Sequence, residues 1–388
     1  MKYYIVAGEA SGDLHGSNLM KALKQRDPEA EFRCWGGDLM EAAGGELVKH
    51  YRDMAFMGFI EVVMHLRQVL NNIKICEIDL LMYEPDVLIL IDYPGFNLRV
   101  AEFAHNNGIK VVYYISPQVW AWKKNRIKKI QQFVDEMIVI LPFEKEFYEK
   151  HNVPVHFVGH PLLDAIDSDI RDSEAVRQFR ALNHLDDREI IAILPGSRKQ
   201  EIVKMLPVMV EVAKQYPQFQ FVVSGVKWQD KSLYDKYLKD TGFPLVIDQT
   251  YPLLLNARSA LVTSGTATLE TALLGTPQVV CYRGSAVSYV IAKHLIKGIN
   301  YISLVNLILD KPVVTELIQY DMNAKRLDEE FERITFNEAN INRMKEDYAQ
   351  LHQILADSKA SDNAAEVIIF CIFASETMTK RASASSSK

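Results

Sequence analysis

Short apolar runs alternate with longer amphipathic segments along most of the chain, and this alternation predicts strands separated by helices. The first strand, Tyr3–Gly8, precedes a segment with helical spacing, Leu14–Gln25, and Val87–Asp92 is an apolar run that ends in an acid. The other strands predicted in the first half are Phe32–Trp35, Lys110–Ser116, Glu136–Leu141 and Val155–Val158. Continuous apolar strands of this kind are typical of a parallel sheet covered on both faces.

The same pattern restarts after a polar segment, Asp167–Asp187, with a helix predicted over Glu201–Gln215. The strands predicted there are Ile190–Leu194, Phe219–Ser224, Leu245–Ile247, Leu261–Thr263 and Gln278–Tyr282. We therefore predict an α/β protein with two Rossmann-like domains facing a central cleft, joined near Leu163–Asp169. Ligands of such sheets bind beyond the carboxyl ends of the strands.

Composition narrows the class of protein further. The chain has 388 residues, 48% of them hydrophobic and 24% charged, which is ordinary for a globular protein. A net charge of −6 gives no general reason to expect nucleic acid binding. The four cysteines form no zinc-like spacing with histidine, which favours reduced cysteines in a cytosolic protein. Since no segment reaches the ~18–20 apolar residues of a spanning helix, we expect a soluble or peripheral protein.

Two glycine-containing loops lie between a strand and a helix in the second half. In "LPGSR", the turn Gly196-Ser197-Arg198 offers free helix N–H groups and a guanidinium suited to diphosphate oxygens. The alternative is a plain turn with a surface arginine. A second loop, Ser264-Gly265-Thr266, has the same position, and together the two favour a nucleotide diphosphate site. Glu270 follows, either as a partner for a ribose or as a solvated acid near the helix start.

Other residues carry candidate chemistry in the first half. Asp92 ends a buried strand, where partial burial would raise its pKa and suit it to general base work, or else it caps the loop. Trp120 and Trp122 precede a basic run that suits an anionic membrane surface or forms a solvated helix face. Met54–Leu70 is either a core helix or an adaptable surface for acyl chains.

An ordered set of short motifs resembles one family, lipid-A-disaccharide synthase, a bacterial glycosyltransferase family. The motifs are "AGEASGD", "SPQVWAW", "LPFEKEF", "GHP", "LPGSR", "SGTATLE" and "NYISLVNLILDKPVVTELIQ". The resemblance runs from Tyr3 to Gln319 and, less distinctly, to about residue 375. One departure is Val305, where the family commonly has proline.

The resemblance implies a GT-B fold whose last helices cross back to the first domain. Residues 1–165, with helices over about 340–376, would form the acceptor and lipid side. Residues 166–339 would bind the UDP-sugar, and residues 377–388 would be a disordered tail. The implied reaction joins UDP-2,3-diacylglucosamine to 2,3-diacylglucosamine 1-phosphate with inversion, giving a β-1,6-linked disaccharide 1-phosphate and UDP.

The resemblance also assigns roles to residues. Asp92 would be the base, and the diphosphate would lie on the loops of Arg198 and Thr266, with neither a metal nor a cofactor. Glu270 would hold the ribose, and the donor-side contacts to UDP would include Asn306, Glu316 and Gln319. Glu9 would repel a pyrophosphate, so Glu9 and Ser11 are expected to bind sugar hydroxyls or position the base.

Lipid substrates imply a cytoplasmic location, peripheral at the inner face of the inner membrane. The residues expected to contact acyl chains or anionic headgroups are Met57, Phe59, Val62, Leu66, Trp120, Trp122, Lys123, Lys124 and Arg126. Homodimer formation is left open. Rival functions are a UDP-N-acetylglucosamine 2-epimerase, the peptidoglycan lipid-II transferase and a nucleotide-sensing adaptor at the membrane surface.

Overall fold

The computed structural model describes most of the chain. It covers residues 1–54, 66–120, 126–166, 170–171, 173–284, 300–355 and 359–385. Two compact units result, one made of Met1–Ala165 with Leu355–Lys388 and the other of Ile166–Ile354. Each unit contains one parallel sheet.

Seven strands form the first sheet and six form the second. The strands of the first are β1 (Lys2–Ala7), β2 (Glu31–Gly36), β3 (Glu46–His50), β4 (Val87–Ile91), β5 (Lys110–Tyr114), β6 (Glu136–Val139) and β7 (Val155–Phe157). Those of the second are β8 (Ile190–Leu194), β9 (Gln220–Gly225), β10 (Leu245–Ile247), β11 (Ala257–Thr263), β12 (Gln278–Tyr282) and β13 (Glu316–Ile318). The orders are β3-β2-β1-β4-β5-β6-β7 and β10-β9-β8-β11-β12-β13.

Helices connect the strands in both units. In the first half they are α1 (Ala10–Arg26), α2 (Asp38–Ala42), α3 (Leu66–Tyr83), α4 (Pro94–Asn106), α5 (Arg126–Phe133), α6 (Pro142–Glu149) and α7 (Leu162–Ala165), with a 3₁₀ turn at Tyr51–Asp53. The others are α8 (Glu174–Arg177), α9 (Phe179–Leu182), α10 (Lys199–Ala213), α11 (Lys231–Leu238), α12 (Thr250–Asn256), α13 (Thr266–Leu273), α14 (Leu304–Leu309), α15 (Ala324–Thr335), α16 (Glu338–Leu355) and α17 (Ala360–Ser385). None of these helices is long and apolar enough to cross a membrane.

The central strands are buried on both faces, as their apolar sequences require. All five residues of β4 are buried, and so are all five of β8. In the first sheet, Leu88 and Leu90 join one core cluster while Val87 and Ile89 join another. This alternation follows from the two-residue period of a strand, and it confirms the predicted parallel sheets with covered faces.

The last helix belongs to the first unit. α17 packs against α1, and its residues Ala364 and Ile368 are buried in the core on the α1 side of the sheet. The carboxylate of Asp164 accepts hydrogen bonds from the Ala360 and Ser361 amides at 2.9 and 3.0 Å and from the Ser361 hydroxyl at 2.7 Å. Asp164 therefore satisfies the free N–H groups at the start of α17.

Candidate active site

Asp92 follows the carboxyl end of β4, in a backbone conformation with a φ of 43°. Its amide donates to the Tyr114 carbonyl at 3.3 Å. Its carbonyl accepts from the Tyr113 hydroxyl and, at 2.8 Å, from the Asn97 side-chain amide. These contacts fix the backbone of Asp92 while the residue remains exposed to solvent. The strand and its neighbour thus present a carboxylate at the edge where ligands of parallel sheets bind.

The pKa of Asp92 is raised to about 6. Although the residue reaches solvent, surrounding protein atoms remove part of the water that would stabilise its charge, and the negative charge of Glu9 adds to the effect. A hydrogen bond from the Tyr93 amide and the positive charge of Arg126 oppose it. A carboxyl group with this pKa is mostly ionised at neutral pH, yet it is a better proton acceptor than an ordinary aspartate.

The loop after β1 lies beside Asp92 because β1 and β4 are neighbours, with Ala7 paired to Ile91. Gly8 is needed for this approach, since a Cβ atom on it would lie 2.3 Å from the Tyr93 ring. Glu9 precedes α1 and is exposed, as is Ser11. The structure therefore places Glu9 within electrostatic reach of Asp92, and both lie at the carboxyl edge of the first sheet.

Asp13, the last residue of the same motif, has a structural task. Its buried carboxylate accepts hydrogen bonds from the amides of Gly37 at 2.8 Å, Leu39 at 3.1 Å and Met40 at 3.0 Å. These amides begin α2 and would otherwise lack partners. Asp13 thus holds the loop after β2 against α1.

Arg126 is the first residue of α5. It was predicted to contact lipid, and the structure places it near Asp92 and Tyr113. Burial lowers the pKa of its guanidinium, while the charges of Tyr113 and Asp92 act to raise it. The side chain therefore lies within electrostatic reach of the candidate base. The sequence did not predict that Arg126 lies near Asp92. The basic run that contains Arg126 was the only feature of the sequence that pointed to an anion there.

The other residues predicted to contact lipid are mostly outside the described part of the chain. This holds for Met57, Phe59, Val62, Trp122, Lys123 and Lys124, and the side chain of Leu66 is not described either. Trp120 is half-buried, and its indole N–H donates to the Glu144 carboxyl group at 3.2 Å. Burial raises the pKa of that carboxyl group to about 8. Lipid contact by these residues stays a prediction.

In the second sheet, the Gly196-Ser197-Arg198 turn follows β8 and precedes α10. Gly196 has a φ of 102°, which is the left-handed region that favours glycine. The carboxylate of Glu201 accepts hydrogen bonds from the Ser197 and Arg198 amides, both at 3.1 Å, and lies 3.7 Å from the Arg198 guanidinium. The helix's own glutamate therefore occupies the N–H groups predicted to bind an anion.

Two further residues, absent from the sequence prediction, hold this turn. Trp228 and Gln229 donate side-chain hydrogen bonds to the Ser197 carbonyl at 3.2 and 3.1 Å. Both follow β9, the strand next to β8. The Trp228 ring remains 64% exposed at this edge, which leaves a large aromatic surface beside the candidate diphosphate loop.

The second loop, Ser264–Thr266, follows β11, the strand on the other side of β8. Gly265 and Thr266 are exposed at the start of α13. Glu270, one turn later, is half-buried and accepts a hydrogen bond from the Tyr251 hydroxyl at 2.9 Å. Burial raises the pKa of Glu270, and this hydrogen bond opposes the rise. The fold thus brings the two predicted loops to one edge of one sheet.

Asn306 and Glu316 form an internal pair. The buried Asn306 amide donates to Glu316 at 3.0 Å and to the Val314 carbonyl at 2.9 Å, and its oxygen accepts from the amides of Val313 and Val314. Glu316 pairs with Val280 in the middle of β12, away from the loop edge. A contact from Asn306 to UDP would require it to give up one of these bonds, so its expected role stays a prediction.

Gln319 is better placed for a ligand. It follows the carboxyl end of β13, has a φ of 56°, and is 8% exposed. In the part of the chain that the structure describes, its side-chain nitrogen has no hydrogen-bond partner. A buried donor without a partner is costly unless a ligand or water satisfies it.

Val305, the departure from the family pattern, lies at the start of α14. It is fully buried, and its amide donates to the Ser303 hydroxyl at 3.2 Å. A proline there would lack that N–H group. With valine at this position, the Ser303 hydroxyl caps the start of the helix. A proline would instead fix the backbone angle φ there.

A cavity of about 370 Å³ lies elsewhere in the second unit. It is lined by residues at the amino ends of the strands, among them Ile190, Ala257 and Pro277, with Arg180 and Lys345. Because the loops of Ser197 and Gly265 lie at the carboxyl ends, this cavity is at the opposite edge from the candidate diphosphate site.

Comparison with known protein families identifies the chain. The model of the family described as lipid-A-disaccharide synthetase matches residues 3–369. The chain belongs to the lipid-A-disaccharide synthase family. Its relatives include the synthase of Syntrophus aciditrophicus, 41% identical over 95% of this chain and 97% of that protein. The synthase of Geobacter metallireducens is 39% identical over 94% of this chain and 96% of that protein.

Solved structures support the same fold at low sequence identity. The UDP-GlcNAc 2-epimerase of Neisseria meningitidis bound to UDP-GlcNAc matches with a TM-score of 0.67 at 15% identity, covering 96% of this chain and 100% of that one. The glycosyltransferase of kitacinnamycin matches with a TM-score of 0.63 at 13% identity, covering 95% and 98%. The predicted GT-B fold is thereby confirmed, and membership of the synthase family makes the protein a glycosyltransferase of lipid A biosynthesis.

Proposed function

We propose that the protein transfers diacylglucosamine from UDP-2,3-diacylglucosamine to the 6-hydroxyl of 2,3-diacylglucosamine 1-phosphate with inversion. The products are the β-1,6-linked disaccharide 1-phosphate and UDP. The observation that carries the proposal is Asp92, an accessible carboxyl group with a pKa raised to about 6 at the carboxyl edge of the first sheet. Inversion in a single displacement needs one such base.

Asp92 would accept the proton of the acceptor hydroxyl. The hydroxyl oxygen then forms a bond to the anomeric carbon of the donor as the bond to UDP breaks, and the electron pair leaves with the diphosphate. General base catalysis of this kind contributes roughly 10²–10⁴-fold to a rate. Glu9 and Ser11, exposed on the neighbouring loop, are candidates to bind the acceptor's hydroxyls.

Arg126 is our candidate for the 1-phosphate of the acceptor. Its guanidinium lies close enough to Asp92 to act on that carboxyl's pKa, and arginine binds phosphate oxygens through paired N–H donors. A phosphate held there would bring the acceptor toward the base. Part of the burial cost that lowers the Arg126 pKa would be offset by the phosphate charge.

The departing UDP would lie on the loops of the second domain. Thr266 begins α13, where the helix N-terminus favours negative charge, and the Arg198 guanidinium offers paired donors on a side chain that is 67% exposed. The Ser197 amide becomes available only when Glu201 releases it. Glu270 would accept hydrogen bonds from the ribose. The side-chain nitrogen of Gln319, which has no partner among the described residues, would donate to the nucleotide.

A peripheral position at the inner face of the inner membrane completes the proposal. α3 continues from the apolar segment predicted to contact lipid, and it exposes Ile78 by 60% and Met82 by 80%. Exposed apolar side chains on one helix suit contact with acyl chains. The basic residues predicted for headgroup contact, Lys123 and Lys124, would add an electrostatic attraction that salt weakens.

Product analysis tests the proposed reaction. The purified protein is incubated with both lipid substrates in detergent, and the product is identified by mass spectrometry and by NMR of its linkage. We expect one disaccharide 1-phosphate per UDP, with a β-1,6 bond. An α-linked product would contradict inversion, and conversion of UDP-GlcNAc without an acceptor would favour the epimerase instead.

A further inference from the structure

Three side chains with metal-binding atoms converge at one edge of the first sheet, outside the proposed transfer site. They are Glu136 of β6, His156 of β7 and Cys371 of α17, and their ligand atoms all lie within 4.8 Å of one another. The register explains the meeting. His156 pairs with Ile138, so Glu136 and His156 share the sheet face that α17 covers.

The spacing within this cluster is close to that of a zinc site. The Glu136 carboxylate and the His156 Nε2 atom are 3.2 Å apart. In a tetrahedral zinc site, bonds of about 2.0–2.1 Å to nitrogen and oxygen place neighbouring ligand atoms roughly 3.3 Å apart. Two of the three ligands thus already have the required separation. The Cys371 sulfur lies within 4.8 Å of both, so a movement of at most about 1 Å brings it to the separation of a zinc ligand.

The charges around the cluster also suit a divalent cation. Asp135 adds a carboxylate within electrostatic reach of Cys371, and Lys110 adds one positive charge while donating to the Cys371 carbonyl. With the thiol ionised, the two carboxylates, the thiolate and the lysine leave two negative charges. Metal binding would release the thiol proton, since a thiol ligates zinc as the thiolate. One divalent cation neutralises the set.

We propose that Glu136, His156 and Cys371 bind a zinc ion that fastens α17 to the edge of the first sheet. Sulfur, nitrogen and oxygen ligands together favour zinc, whereas magnesium and calcium prefer oxygen alone. The His156 side chain is 43% exposed, which gives the ion access, and water would fill the fourth position.

The proposed ion has no part in the transfer chemistry. Glu136 is the first residue of β6, at the amino end of its strand, whereas Asp92 follows the carboxyl end of β4. The two positions are therefore at opposite ends of the strands of the same parallel sheet. A metal here would act on the stability of the fold, so its test measures metal binding and unfolding rather than turnover.

Cobalt(II) substitution tests this site directly in the full-length chain. We expect one Co²⁺ per metal-free protein, with a near-ultraviolet charge-transfer band from the thiolate, and displacement by Zn²⁺. Cys371→Ser should abolish the band, and His156→Gln should weaken Co²⁺ binding by more than about tenfold. The matched control is Cys34→Ser, a buried cysteine outside the cluster whose thiol donates to the Glu46 carbonyl at 3.6 Å.

Thermal unfolding supplies the second measurement. Zn²⁺ should raise the melting temperature of the wild type and of Cys34→Ser. It should not change the melting temperature of His156→Gln. If Cys371→Ser fails to fold, His156→Gln still decides the matter, because His156 is a half-exposed residue of an edge strand. Co²⁺ binding without a thiolate band, or equal binding by wild type and His156→Gln, would overturn the proposal.

Discussion

The carboxyl group of Asp92 acquires its properties from neighbours in different parts of the chain. Glu9 comes from the loop after β1, Arg126 begins α5, and Tyr93 follows in sequence. The buried Tyr113 hydroxyl binds the Asp92 carbonyl and so fixes the residue without touching its carboxylate. The position of Asp92 at a strand end was predictable from the apolar run before it. The influence of Glu9 and Arg126 depends on strand order, which that run does not give.

The first prediction concerns pH. In the proposed mechanism the ionised form of Asp92 is the base, so kcat/KM should rise with pH up to about 6 and level off above it. Glu9→Gln removes a negative charge that helps raise the pKa of Asp92, so this limb should move to lower pH. Initial rates of UDP release between pH 4.5 and 8 give the profile. Glu29→Gln, at an exposed position, is the control. If Glu9→Gln left the pH at which kcat/KM rises unchanged, Glu9 would not affect the pKa of Asp92.

At the scale of the element, the sequence predicts central strands far better than edge strands. β4 and β8 are continuous apolar runs, buried throughout, and both were predicted. β3 and β13 were missed, and each is an edge strand of its sheet, whereas the other two edge strands, β7 and β10, were predicted. Edge strands contact one neighbour only, so β3 contains half-buried and polar residues, and β13 has just three residues.

Helix α10 shows what a loop motif leaves undetermined. The glycine and arginine of the turn correctly indicate a strand-to-helix loop, but the N–H groups expected to be free for an anion already have a partner. Glu201, three residues after Arg198, has the spacing of a capping box, and the structure shows its carboxylate on those groups. Whether a first-turn glutamate folds back depends on its rotamer, which sequence spacing alone does not fix.

The second prediction follows from this contact. Glu201→Gln should tighten UDP binding by about fivefold, because a neutral amide competes less well than a carboxylate for the Ser197 and Arg198 amides. Calorimetry with UDP measures the change. Glu211→Gln, exposed on the same helix, is the matched control and should bind UDP like the wild type. Weaker binding by Glu201→Gln would show that the glutamate shapes the loop for UDP.

The third prediction concerns the packing of the loop after β1. Gly8→Ala should destabilise the protein by about 1–3 kcal/mol, since the added methyl group would overlap the Tyr93 ring. Gly95→Ala is the control, because nothing lies within 4 Å of its Cβ position and alanine favours the helix there. Denaturant unfolding compares the two variants. Equal stability would mean that Tyr93 moves aside at little cost.

At the scale of the whole molecule, the proposed reaction takes its groups from two separately packed domains. The candidate base follows a strand of the first sheet, and the candidate diphosphate loops follow strands of the second. The alternation of strands and helices was sufficient to predict both domains. The contacts of α17 with α1 join residues far apart in the chain, which the alternation does not predict. The family resemblance predicted that helices over about 340–376 return to the first domain; α17 packs there, whereas nearly all of α16 belongs to the second unit.

Because the two roles lie in different domains, a single variant tests whether Asp92 is the general base. Asp92→Asn should bind UDP with wild-type affinity, because the loops proposed to bind the nucleotide lie in the other domain. Its single-turnover rate of disaccharide formation should fall by about 10²-fold or more, the scale expected for loss of a general base. That rate, measured by mass spectrometry alongside UDP calorimetry, tests the account most directly. A near-normal transfer rate in Asp92→Asn would contradict it.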